Sequence, residues 1–84
     1  MGFDPGFRTG SKLAIIDEHG KFLKKQVIYP HKPANEKQRN DAAKTFEALV
    51  SDYNVELIAI CNGTASRESE EFVATHLPKE TQYT

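Results

Sequence analysis

Gly2-Phe3-Asp4-Pro5-Gly6-Phe7-Arg8-Thr9-Gly10-Ser11-Lys12-Leu13-Ala14-Ile15-Ile16-Asp17 runs an apolar stub, a tight turn and an apolar strand together in one stretch. Pro5-Gly6 predicts a type II turn, since Pro fixes the first φ and Gly accepts the positive second one. Gly2-Phe3-Asp4 is then the end of something extended. Ser11 to Asp17 reads as a strand, and its unbroken run Leu13-Ala14-Ile15-Ile16 suits a strand covered on both faces. His19-Gly20 supplies the next turn, and Lys21 to Tyr29 completes a hairpin.

Outward from the hairpin the period changes. Pro30-His31-Lys32-Pro33 breaks the strand and forbids an immediate helix. From about Glu36 to Tyr53, the residues Ala42, Phe46, Leu49, Val50 and Tyr53 form one stripe at helical spacing. Such a helix is roughly 25 Å long and can cover a sheet face. Leu57 to Cys61 is a short apolar strand, Asn62-Gly63-Thr64 a loop, and Ser66 to Leu77 a second helix stopped by Pro78. Thr64 or Ser66 is the expected cap, with Glu68, Glu70 and Glu71 placed where the helix dipole favours negative charge. The order β-β-β-α-β-α, with the first strand a stub, predicts an α/β fold with a mixed sheet and helices against it. Lys79 to Thr84 reads as the approach to a further strand, so the domain is expected to continue past residue 84.

The chain has 84 residues, room for one domain with a marginal core. Eleven basic and twelve acidic residues leave a net charge of −1, which counts against a strong grip on nucleic acid by this chain alone. Cys61 is the single cysteine, so no internal disulfide can form. With no signal peptide, a reducing cytoplasmic setting is expected. No apolar run approaches a membrane span, so no membrane partner is expected. Asn62-Gly63-Thr64 matches a glycosylation sequon, by chance in a cytoplasmic chain.

Gly2-Phe3-Asp4-Pro5-Gly6 resembles the first-strand motif of the RuvC and YqgF branches of the RNase H-like superfamily, in which an aspartate ends the first strand. Asp4 to Gly10, Ile28-Tyr29-Pro30-His31 and Asn62-Gly63-Thr64-Ala65-Ser66-Arg67-Glu68 together resemble the YqgF-type segment of Tex-like transcription accessory proteins. The resemblance spans essentially the whole chain. It implies the front part of an RNase H-like domain, inside a larger protein with helical nucleic-acid-binding modules and a C-terminal RNA-binding domain. The implied partners are RNA or DNA, the other domains of that protein, and the transcription machinery.

RNase H-like nucleases hold two divalent cations between several carboxylates, and Mg²⁺ demands such oxygen ligands. The resemblance puts Asp4 in the place of the first acid and of a metal ligand. The second acid would stand at the end of the fourth strand, where this chain has Asn62, a neutral ligand, with Glu68 as a displaced substitute. A third would lie beyond Thr84. The set is incomplete, so the expectation is a non-catalytic scaffold that binds nucleic acid and needs no cofactor, with Asp4 a vestigial ligand or a structural turn acid. The competing reading is a metal-dependent nuclease or Holliday-junction-resolvase-like hydrolase, which alone would require Mg²⁺. A third reading is nucleotide binding, since Asp-Pro-Gly followed by Thr resembles the phosphate turn of actin-like sugar kinases and ATPases, although that reading needs a second lobe that 84 residues cannot hold. A protein-interaction surface is the remaining class.

For nucleic acid the candidates are Arg8, Thr9, Lys12, Thr64, Ser66 and Arg67, which the resemblance brings to one sheet edge as phosphate or sugar contacts. The plainer alternative makes them solvent-facing groups, with Arg67 paired to Glu68, Glu70 or Glu71. Lys21, Lys24 and Lys25 read as guards of a strand edge. His19, His31 and His76 lack metal-ligand spacing: His19 is a turn residue, His31 positions a loop and His76 closes a helix. Cys61 is expected in the core, and Tyr29 and Tyr53 partly buried. Unpaired sheet edges predict self-association.

Overall fold

The computed structural model describes residues 1–31, 33–78 and 80–84; Lys32, within the proline-bounded loop, and Lys79, at the start of the final approach segment, lie outside the described residues. The elements are β1 (Gly2–Asp4), β2 (Ser11–Ile16), β3 (Phe22–Ile28), α1 (Glu36–Asp52), β4 (Leu57–Ile60), α2 (Ser66–His76) and β5 (Gln82–Tyr83). They form one sheet in the order β3-β2-β1-β4-β5. The pairs β1–β2 and β2–β3 are antiparallel, while β1–β4 and β4–β5 are parallel. This is the mixed α/β architecture expected of an RNase H-like domain. The approach segment after α2 reaches the sheet and forms its last strand.

Local chemistry explains the turns. The Asp17 carboxylate accepts hydrogen bonds from the backbone N–H of His19 at 2.9 Å and of Lys21 at 2.8 Å, and Gly20 takes φ +83°. That closes the β2–β3 hairpin. The first turn departs from its expectation. Gly6 is not among the glycines with positive φ, so Pro5-Gly6 is not a type II turn; the positive φ falls at Gly10. Gly6 is needed for space instead, because a β-carbon there would stand 2.6 Å from the Gly10 carbonyl oxygen.

Helix α1 begins at a capping box. Asn35 Oδ1 accepts from the Gln38 N–H at 2.8 Å, and the Asn35 N–H donates to Gln38 Oε1 at 3.0 Å, satisfying two backbone donors at once. Its stripe Ala42, Phe46, Leu49 and Val50 is buried, while Tyr53 lies past the helix end and is exposed. These side chains meet Phe3, Leu13, Ile15, Ile28 and Ile58 from the sheet and Val73 from α2 in one cluster. Phe3 and Phe46 pack edge to face, 6.1 Å apart. Both helices therefore share one face of the sheet. Among the described residues nothing covers the other face, where Ile16 and Leu57 are each more than half exposed. An apolar run states what a strand would accept on each face, not what this chain supplies.

Candidate nucleic-acid interface

β1 and β4 run parallel as neighbours with Phe3 opposite Ile60, and the Cys61 N–H donates to the Phe3 carbonyl at 2.9 Å. The turn 5–10 and the loop 61–65 accordingly leave the sheet at the same end. Asp4 is exposed there, with Lys12 directly across the antiparallel ladder. Arg8 and Thr9 are exposed on the turn; Thr64 and Arg67 are exposed and Ser66 half-buried on the loop and the first turn of α2. Neither Thr64 nor Ser66 caps that helix. The cap position is Ala65, in the left-handed region at φ 63°, with no side-chain hydrogen bond. The backbone turns sharply at Ala65, and the flanking hydroxyls are left without a capping role.

Arg67 borders a shallow hollow of about 290 Å³ with Glu70, Glu71 and Tyr83, on the outer side of α2. Among the described residues, neither Arg8, Lys12 nor Arg67 makes an ion pair. The three cations are thus available to a ligand, with Arg67 set apart from Arg8 and Lys12 by its glutamate neighbours.

The acid set is not gathered. Beside Asp4 the parallel neighbour offers Cys61 and Asn62, both exposed. Cys61 was expected in the core, but it follows the last ladder residue of β4 and lies outside. Glu68 faces a groove of about 460 Å³ with His31, Arg39 and Phe72, on the helix side of the sheet. No group of three His, Cys, Asp or Glu side chains suited to a cation occurs among the described residues. The donors present do not fit a two-cation nuclease site.

The family model of the Tex protein YqgF-like domain matches residues 1–84. The chain belongs to this family. It is 51% identical to the protein named tex of Bordetella pertussis over 87% of this chain. It is 42% identical to the transcriptional accessory protein Tex of Neisseria gonorrhoeae over 84% of this chain. The human S1 RNA-binding domain-containing protein 1 is 35% identical over 94% of this chain. The aligned segment is 9%, 9% and 8% of those proteins in turn, so the chain spans under a tenth of their length. No helix among the described residues is long and apolar enough to cross a membrane.

In this YqgF-like domain His31 is a packing residue with one polar tie. It is buried, its Nε2 lies 3.0 Å from Ser69 Oγ, and its ring meets Phe7 and Phe72 edge-on at 6.1 and 6.2 Å. Burial holds its pKa below the usual histidine value, and the Glu68 carboxylate partly opposes that shift. The loop-positioning role fits this arrangement. Ser69 was not anticipated, although its spacing four residues before Val73 places it on the inner stripe of α2. His76 reaches Glu47 of α1 at 3.6 Å, and His19 is exposed in the hairpin turn. Tyr29 and Tyr53 each keep a little over a third of their surface exposed and are partly buried, as expected. Lys24 and Lys25 lie exposed on β3, an edge strand, with Lys21 just before it.

Proposed function

We propose that this YqgF-like domain is a non-catalytic scaffold of a Tex-like transcription accessory protein, touching nucleic acid at the sheet end where β1 and β4 finish. The observation that carries the reading is the setting of Asp4. Two-metal hydrolysis needs a second carboxylate beside the first, to offset cation charge and hold the attacking water. Asp4 has instead a lysine, Lys12, across one ladder and Cys61-Asn62 beyond the other. A positive side chain at that place opposes a bound cation and favours a phosphate.

Arg8, Thr9 and Lys12 from the first turn and Thr64, Ser66 and Arg67 from the second loop are the phosphate and sugar contacts in this reading. They position a strand rather than read its bases. With a net charge of −1 the domain adds a local contact to a grip supplied elsewhere in the larger protein. The names of the relatives support that setting: one is a transcriptional accessory protein, another contains an RNA-binding domain. Partners are then RNA or DNA, the other domains of the same protein and the transcription machinery.

The test is fluorescence anisotropy with single-stranded RNA and DNA, on the 84-residue chain and on a Tex protein carrying it. The chain alone is expected to bind with a dissociation constant of roughly 10⁻⁵ M or weaker at physiological salt. Arg8→Ala with Arg67→Ala is expected to weaken the larger protein about equally for all sequences and to flatten its salt dependence. Mg²⁺-dependent cleavage that disappears in Asp4→Asn would establish the nuclease reading instead.

A further inference from the structure

The groove of about 460 Å³ on the helix side of the sheet is built from three parts of the chain. Glu68, Glu71, Phe72 and Thr75 stand at i, i+3, i+4 and i+7, so one face of α2 forms a wall. Arg39 comes from near the start of α1, and Phe7 from the turn that carries Arg8. The lining is rich in rings. Phe7, His31, Phe72 and His76 follow one another with ring centres 6.1, 6.2 and 4.8 Å apart. Phe7, Phe72 and His76 are half-buried, so each keeps ring surface for a ligand. Charges of both signs share the groove, yet among the described residues Arg39 makes no ion pair with Glu68 or Glu71. The donors of Arg39 and the acceptors of both carboxylates are open to a third party.

We propose that this groove takes one unpaired guanine of a strand whose phosphates meet the Asp4 end, an inference that rests on the nucleic-acid reading above. Phe7 and Arg8 are consecutive, about 3.8 Å apart between α-carbons, so a base contact and a phosphate contact are neighbours on one turn. Unpaired bases are held by stacking on aromatic rings and by hydrogen bonds along the Watson–Crick edge. Guanine offers on that edge two adjacent donors, N1–H and the N2 amino group, beside the acceptor O6. A carboxylate of Glu68 or Glu71 accepts from both donors, and the Arg39 guanidinium donates to O6 or N7. Uracil would turn carbonyl oxygens toward the carboxylates, while adenine and cytosine each bring a single amino group. An aromatic lining with both charge signs suits a planar heterocycle better than an aliphatic peptide anchor.

Short pyrimidine strands test it, with guanine, adenine, cytosine or uracil as the central base, each made as RNA and as DNA. Each is titrated into the 84-residue chain while amide NMR shifts are followed. The guanine strand is expected to bind about tenfold more tightly than the others, with shifts centred on Phe7, Phe72 and Thr75; the sugar that binds more tightly identifies the source. Glu68→Gln combined with Glu71→Gln removes negative charge, so every strand binds more tightly while the guanine preference disappears. Phe7→Leu keeps the apolar contact but loses the stack, and weakens the guanine strand at least about fivefold. These positions lie outside the buried core, and unchanged amide spectra of the free variants verify the fold. Equal affinity for all strands, with shifts confined to Arg8, Thr9 and Thr64, would overturn the guanine site and leave the phosphate reading standing. No shift with any strand up to about millimolar concentration would overturn both. Ultraviolet crosslinking of the guanine strand to a Tex protein carrying this chain is expected to mark the peptides that hold Phe7 or Phe72. Crosslinks found only in other domains would also overturn the proposal, since a segment of the larger protein would then fill the groove.

Discussion

Gly10 holds φ +82°, and a β-carbon on it would stand 2.8 Å from Tyr29 Cε2 and 2.9 Å from the Ile28 carbonyl oxygen. The ring edge can shift, but the carbonyl belongs to the β2–β3 ladder and cannot. Gly10→Ala is therefore expected to cost about 1–3 kcal/mol, read as a lower urea midpoint. Gly20→Ala, where the added carbon would meet nothing, is expected to cost only the left-handed strain of about 1 kcal/mol. His31 gives a pH dependence of definite sign. Burial lowers its folded-state pKa, so the unfolded chain takes up the proton first as pH falls. Its contribution to stability is fully present above the unfolded value near 6.5 and is lost as pH drops through the depressed folded value. Urea midpoints measured from pH 7.5 downward should fall across this range, and His31→Gln should flatten that part of the profile.

Among the elements, the two helices depend on different things. α1 carries its own start: Asn35→Ala removes the acceptor for the Gln38 N–H and is expected to cost about 1 kcal/mol, measured by thermal or urea unfolding. α2 has no side-chain cap, so it relies on Val73, Phe72 and the Ser69–His31 tie. The stripe of α1 was legible because five apolar residues repeat at helical spacing. Its cap was not, because Asn35 sits behind Pro33-Ala34 and the box uses Asn and Gln. At α2 the same rules misled: Thr64 and Ser66 are both good cap formers, but the chain passes through a left-handed residue between them. The first turn failed in a similar way. Pro5-Gly6 has the composition of a type II turn, yet close packing against Gly10 sets its shape. Composition identifies where the chain turns more surely than how.

At the scale of the whole molecule, the neighbour relation of β1 and β4 was reached through family resemblance, since no local pattern says which strands lie side by side. The candidate site inherits that: Asp4, Lys12 and Cys61 meet only because the ladders place them together, and Cys61 looked like core because an apolar strand precedes it. The final segment decides the condition of the sheet's far edge. Gln82 N–H donates to Glu56 O, Thr84 N–H to Ile58 O, and Ile60 N–H to Thr84 O, at 2.9–3.0 Å, while Thr81 Oγ1 donates to Val55 O at 2.9 Å. Removing residues 81–84 breaks all four and turns β4 into an edge. The opposite edge, β3, carries exposed Lys24 and Lys25, which oppose pairing with another chain. β4 has no such charge within the strand: its residues are Leu57, Ile58, Ala59 and Ile60. The shortened chain is therefore expected to lose stability and to self-associate with rising concentration, seen as a growing mass in sedimentation velocity. Ala59→Lys in the shortened chain should return it toward monomer, since Ala59 is exposed on β4 and a charge there restores the protection β5 provided. A shortened chain that stays monomeric at every concentration would mean that β4 is guarded by something other than its last hydrogen-bonded neighbour.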